Sequence, residues 1–251
     1  MKNLIDLSSK NILVTGASQG IGAVVCKELA ECGANVIMIA RSKDKLMQLK
    51  NELGNNCHIY PYDLKDIDGI EKLIKQIVSE VGKLDGFVHC AGIGPTRPLK
   101  LSKYDFIHDV MLVNFYSFVE ISRVYAMKKN NNGGSIVAIS SVGAIRANPA
   151  KVAYCASKAA IDGAVRALAV ELKPNNIRVN SIQPGWVRTE MFEEYLNTLG
   201  DDVKKRFNSE DIYSKNTIIE TYEVARTILF LLSDMSSAIS GASMLATKVG
   251  I

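Results

Sequence analysis

Long apolar runs, paired cysteines, clustered histidines and a strong net charge are all missing from this chain, and each lack removes a class of protein. The longest uninterrupted apolar runs, such as Val36 to Ala40 and Ile228 to Leu232, are five residues. A membrane-spanning helix needs about 20, so no membrane partner is expected. The opening stretch MKNLIDLSSK has neither an apolar core nor a small-residue cleavage site, so no export signal is expected. The five cysteines (Cys26, Cys32, Cys57, Cys90 and Cys155) are odd in number, widely spaced and without a CxxC pair. That usage argues against a disulfide framework and fits a reducing cytoplasm. His58, His89 and His108 share no metal-ligand spacing with cysteines or carboxylates, so no metal is expected. Thirty Lys+Arg against 26 Asp+Glu leave +4, scattered and without a basic tract. A nucleic-acid partner is therefore not expected.

What is present is a globular composition, 47% hydrophobic and 22% charged. At 251 residues the chain suits one α/β domain better than two small ones. Short β-branched runs at Asn11–Thr15, Asn35–Ala40, Cys57–Tyr60, Gly86–His89, Ser135–Ser140 and Arg178–Gln183 read as strands. Between them lie stretches of helical period, such as Gly22–Cys32 and Ile67–Val81. This alternation predicts a doubly wound parallel sheet with helices on both faces. Gly54–Asn56, Asn130–Gly134 and Asn175–Asn176 read as turns between elements, not as interdomain linkers. From Trp186 to about Thr221 no clear strand is legible, which suggests a helical insertion on the surface or a substrate lid.

Thr15-Gly16-Ala17-Ser18-Gln19-Gly20-Ile21-Gly22 follows the first strand and opens a helix. Glycines here permit a tight turn and a close approach of backbone to a pyrophosphate, which the helix N-terminus would hold. Arg41-Ser42 stands nineteen residues past Gly22, where an NAD site would offer a carboxylate to the ribose. An Arg there would hold a 2′-phosphate and favour NADP(H), or it is a solvated residue after a strand.

Tyr154 and Lys158 are one helical turn apart, so they share a face. An ammonium beside a phenol favours the phenolate and predicts a Tyr pKa below about 10. Ser141 follows the strand Ser135–Ser140, at the end of the sheet where ligands bind. Its hydroxyl would hydrogen-bond a substrate carbonyl, with Ser140 as a competitor for that role.

TGASQGIG, Asp63-Leu64, Ala91-Gly92, Asn114, Ser141, Tyr154-Cys155-Ala156-Ser157-Lys158 and Pro184-Gly185 occur in the order and spacing of the short-chain dehydrogenase/reductase family. The resemblance continues to Ile239-Ser240-Gly241 and is nearest the 3-oxoacyl-[acyl-carrier-protein] reductase branch. It implies one Rossmann domain over residues 1–251, with a substrate lid at 186–221. It implies an NADP(H)-dependent oxidoreductase interconverting a carbonyl and a secondary alcohol. A 3-oxoacyl thioester reductase, a sugar or other alcohol dehydrogenase, and a non-catalytic nucleotide-binding subunit are its variants. Tyr154 would transfer the proton, Lys158 would lower its pKa and hold the nicotinamide ribose, and Ser141 would position the substrate oxygen. Asn114 would anchor a water that links Lys158 to solvent. Gly16, Ser18, Gln19, Gly20, Ile21 and Gly22 would line the phosphates, and Arg41 and Ser42 the 2′-phosphate. Asp63 and Leu64 would frame the adenine. Cys90, Ala91, Gly92, Pro184, Gly185, Val187 and Thr189 would complete the cofactor groove. A homodimer or homotetramer would be the working form.

Two departures stand out. His89-Cys90 replaces the family's usual Asn-Asn, and the tail after Ser243 lacks its acidic-Gly-Gly turn. Cys155 reads as a packing residue, and Trp186 as either a pocket wall or an anchor for the lid. The resemblance implies that the loops Ile93–Leu99 and Val142–Val152 shape the pocket with the lid; Arg146 and Lys151, and Lys204, Lys205 and Arg206 in the lid, would face an acidic group such as a carrier phosphate or nucleotide sugar, or are solvated.

Overall fold

The computed structural model describes residues 5–197 and 218–248. Seven parallel strands form the central sheet in the order β3-β2-β1-β4-β5-β6-β9. They are β1 (Asn11–Thr15), β2 (Asn35–Ala40), β3 (Cys57–Pro61), β4 (Leu84–His89), β5 (Asn131–Ile139), β6 (Ile177–Pro184) and β9 (Ser243–Ala246). The helices are α1 (Gly20–Glu31), α2 (Lys43–Leu53), α3 (Ile70–Val81), α4 (Tyr104–Met111), α5 (Ser117–Ala126), α6 (Val152–Glu171), α7 (Glu190–Asn197) and α8 (Thr221–Leu232).

Strand pleat decides which helix each side chain meets. Ile12, Val14, Val36 and Met38 face one layer, with Val25 and Leu29 of α1 and Ile228 of α8. Their neighbours Leu13, Ile37 and Ile39 face the other, with Ile74 of α3, Ile121 of α5 and Val165 of α6. Burial on both faces is why these strands read as continuous apolar runs. β1 pairs with β2 on one side and β4 on the other. The chain reverses its direction of travel across the sheet there, and the crevice at the strand ends becomes the natural binding place.

The expected strands are present, and two expectations are corrected. Asn130–Gly134 reads as a turn, yet β5 begins at Asn131, which pairs with Leu84 across a register shift. The turn chemistry is absorbed locally. Asn130 Nδ2 and Asn131 Nδ2 donate to Val124 O and Tyr125 O at the end of α5, both at 2.7 Å. Gly133 and Gly134 take positive φ values of 88° and 105° inside the strand. The second correction concerns the segment read as strandless. β7 (Trp186–Val187) and β8 (Ile218–Ile219) pair in parallel at its two ends. Two-residue strands give no readable period. The middle of the expected lid, 198–217, lies outside the described residues. Among the described residues, no helix is long and apolar enough to cross a membrane.

Candidate active site

A cavity of about 1560 Å³ opens at the carboxyl ends of the strands. It exceeds the roughly 300–1,000 Å³ typical of a site for one drug-sized ligand. Its walls include every residue that the sequence nominates except Asn114.

One end is built by the β1–α1 turn. Gly16 has φ +65°, and a Cβ there would lie 2.7 Å from Ala91 N. Gly22 is backed against Gly16 O, so the helix starts tight against the turn. Gln19 is the N-cap of α1, yet no side chain caps that end and its first turn carries no acidic residue. The free N–H groups and the positive end of the helix dipole are thus left to a ligand. The next helix is closed by contrast: Ser42 Oγ accepts from Lys45 N at the start of α2.

Arg41 is exposed at the end of β2 and lines the cavity. Beside it Lys45 Nζ donates to Gln19 Oε1 at 2.8 Å, which brings a second cation to the same corner. Lys45 escapes sequence reading because it lies inside a helix with no motif around it. Asp63 and Leu64 line the cavity after β3, together with Tyr62 and Lys65.

The other end gathers Ser141, Tyr154 and Lys158. Ser141 Oγ accepts from Gly143 N at 2.9 Å and hydrogen-bonds the Tyr154 phenol. Gly94 and Gly143 flank the Tyr154 ring: a Cβ on either would fall 3.2–3.4 Å from its carbons. Side chains there would crowd the phenol, so glycine keeps its position open.

Ser140, the competitor, is buried and faces away. Its Oγ lies 3.0 Å from Asp162 Oδ2 and 3.1 Å from Lys158 O. Asp162 also accepts from Ser181 Oγ at 2.7 Å and Gln183 Nε2 at 2.8 Å. Ser140 thus belongs to a buried polar knot under the site, although it too borders the cavity.

The expected lowering of the Tyr154 pKa is not seen. Burial raises it, and the Ser141 hydrogen bond offsets only part of that. Lys158 is 5.8 Å from the centre of the phenol ring, and its Nζ donates to Ile139 O at 2.6 Å. Burial lowers its own pKa from 10.5 to about 8, opposed by Cys90 and Asp162.

Asn114 is fully buried within a π-helical turn, Leu112–Tyr116. Its Oδ1 accepts from Ile93 N at 2.8 Å, and its Nδ2 donates to Ile93 O and Ser157 Oγ. Both amide protons are therefore spent on holding the Ile93 loop against α6. His89, in the atypical pair, is buried beside Thr15: Thr15 Oγ1 is 3.0 Å from His89 Nδ1 and accepts from Ala91 N at 3.3 Å. Burial, with Lys158 nearby, drops the imidazole pKa to about 3, so the ring is neutral. Its Nε2 makes no hydrogen bond of normal geometry among the described residues, although the Asn114 and Val113 main chain is close enough to favour the charged form.

Cys90 borders the cavity, but burial pushes its thiol up to about 12, which makes it inert. Cys155, read as packing, lines the cavity as well. Trp186 does both things proposed for it. It lines the cavity, and it stacks on Tyr195 at 5.0 Å and packs on Phe192 at the lid's first helix. Ile93, Gly94, Arg146 and Lys151, from the two loops expected to shape the pocket, line the wall as well.

Comparison with known proteins gives a consistent picture. Residues 16–248 match a family profile described as enoyl-(acyl carrier protein) reductase. The chain is 36% identical over 241 residues to L-xylulose reductase of Caenorhabditis elegans, covering 95% of this chain and 94% of that protein. It is 32% identical over 244 residues to a 3-oxoacyl-[acyl-carrier-protein] reductase of Rickettsia bellii, covering 96% of each. Its fold is similar to a solved 7α-hydroxysteroid dehydrogenase complexed with NADH and 7-oxo glycochenodeoxycholic acid. The TM-score is 0.88 at 27% identity, over 98% of this chain and 96% of that one.

Proposed function

The chain belongs to the short-chain dehydrogenase/reductase family of nicotinamide-dependent oxidoreductases, and on that premise we propose that it interconverts a ketone and a secondary alcohol with NADP(H). The observation that carries this reading is one continuous cavity joining the uncapped α1 N-terminus to Ser141, Tyr154 and Lys158. The residues present fit a dinucleotide. The Gly16–Gly22 turn leaves room for a pyrophosphate, and Ala91, Gly92, Pro184, Gly185, Val187 and Thr189 wall the groove beyond it. When bound, the nicotinamide gives or takes the hydride.

The chain's own groups handle the proton and the charge. Tyr154 donates its phenol proton to the carbonyl oxygen, as a positioned acid. Ser141 donates a second hydrogen bond to that oxygen as negative charge grows there. Lys158, when charged, stabilises the phenolate left behind. Asn114 has no amide proton free, so its main-chain carbonyl in the π-turn is the group that would hold a water between Lys158 and solvent.

NADP(H) is favoured over NAD(H) because Arg41, the first residue after β2, and Lys45 both line this corner of the cavity, whereas Asp44, which stands between them in sequence, does not. The same reading treats 1–251 as one dinucleotide-binding domain with 186–221 as its lid, acting in the cytoplasm as a homodimer or homotetramer. The classes to screen are 3-oxoacyl thioesters, keto-sugars and short oxo acids. The test is purified protein with NADPH and a panel of these ketones, together with a cofactor titration. Turnover of one class supports the reading; tight cofactor binding with no turnover on any would overturn it.

A further inference from the structure

We propose that Lys151 selects the substrate: its ammonium pairs with a carboxylate carried a few bonds from the reacting carbonyl. The preferred substrates are then oxo acids and their hydroxy-acid counterparts, not neutral ketones or esters. This rests on the reading of Tyr154 as the proton donor.

Lys151 is three residues before Tyr154, at the N-cap of α6. Its Nζ donates to Gly94 O at 2.5 Å. It lies 5.2 Å from the ring centre of Tyr195 and 5.8 Å from that of Tyr154. Those contacts hold the ammonium over the catalytic phenol, within cation–π range of both rings. The carbonyl uses one of its three protons, and no other hydrogen bond or ion pair reaches the ammonium among the described residues.

Its surroundings are short of negative charge. Among the described residues, the ionisable walls on this side of the cavity are Arg146, Lys151, Tyr154, Lys158 and Tyr195, with Cys155 on the helix behind. The two acids that line the cavity among the described residues are elsewhere. Asp63 follows β3, and Glu190 Oε2 lies against Gly20 at the phosphate turn. A half-buried ammonium without a carboxylate bears an uncompensated desolvation cost. Burial accordingly lowers its pKa. The N-terminus of α6, with no acidic residue in its first turn, adds a repulsive dipole for a cation. Each of these terms turns favourable once a substrate carboxylate arrives. A short oxo acid places its carboxylate near enough to Lys151 while its carbonyl oxygen meets Tyr154 and Ser141.

The experiment compares 3-oxobutanoate and 4-oxopentanoate with their methyl esters. It measures kcat and KM, and the binding of each to the enzyme–NADP+ complex, for the wild type, Lys151→Met and Lys151→Arg. The wild type should prefer at least one acid over its ester by roughly tenfold or more in kcat/KM, as a charge-assisted hydrogen bond implies. Lys151→Met should remove that preference through KM, with the ester and NADPH binding little changed, and Lys151→Arg should restore part of it. Equal use of acid and ester by the wild type, or an equal loss on both in Lys151→Met, would overturn the proposal. Lys151-dependent binding of the acids without turnover would uphold the anion site while overturning the reductase reading. Turnover of esters alone would do the reverse.

Discussion

Replacing Lys158 by Met should end the chemistry and yet stabilise the cofactor-free protein at neutral pH. Burial holds the folded-state pKa near 8, against 10.5 for the unperturbed side chain. At about 1.36 kcal/mol per pH unit, keeping that lysine protonated costs the folded state ~3 kcal/mol. Methionine removes the charge with little loss of volume. It also strands Ile139 O, which accepts from Nζ at 2.6 Å, and this returns ~1 kcal/mol. A net gain of ~2 kcal/mol corresponds to roughly 4–8 °C in Tm for a chain of this size. The pH dependence gives the sign. The folded pKa is depressed, so the cost is fully present below pH 8 and is relieved as pH rises from 8 towards 10.5. Thermal unfolding of both proteins without cofactor, at pH 7 and pH 10, is the assay. The variant should lead at pH 7, and its lead should shrink at pH 10. A variant less stable than wild type at pH 7, or a difference independent of pH, would refute the reasoning.

Two further substitutions test the rest of the site. Arg41→Asp should abolish a preference for NADPH over NADH in equilibrium binding; an unchanged ratio would remove Arg41 as the 2′-phosphate reader. The two serines should separate cleanly. Ser141→Ala should lower kcat by roughly 10²–10³ with a stability change under about 1 kcal/mol. Ser140→Ala should cost about 1–3 kcal/mol in denaturant unfolding, because Asp162 loses a buried donor, and should leave more activity than Ser141→Ala. Equal kinetic losses in the pair would undo the assignment.

Much of this was legible in the sequence for physical reasons. Strands buried on both faces must be apolar throughout, so β1, β2 and β4 announce themselves. The Gly16–Gly22 turn is legible because few other residues fit where Gly16 meets Ala91 and Gly22 meets the turn. Tyr154 and Lys158 share a helix, and their spacing alone brings them together. What sequence leaves hidden depends on contacts between distant segments. The roles of Ser140 and Ser141 differ because Asp162, Ser181 and Gln183 converge under one and not the other. The Tyr154 pKa is raised because burial outweighs the Ser141 hydrogen bond while Lys158 turns to Ile139 O, and spacing does not report burial. Lys45 carries no motif, and only the fold brings it to the phosphate corner; Lys151 is legible as a basic residue of a pocket loop, but its place over the phenol is not.

The central claim is that Tyr154 passes the proton in a carbonyl reduction using NADPH bound in this cavity. A single-turnover experiment tests it most directly, following NADPH oxidation with a reactive ketone in wild type and Tyr154→Phe, alongside NADPH binding to each. The account predicts unchanged binding and a loss of roughly 10²–10⁴ in the oxidation rate for the variant. Oxidation at the wild-type rate in Tyr154→Phe would contradict it.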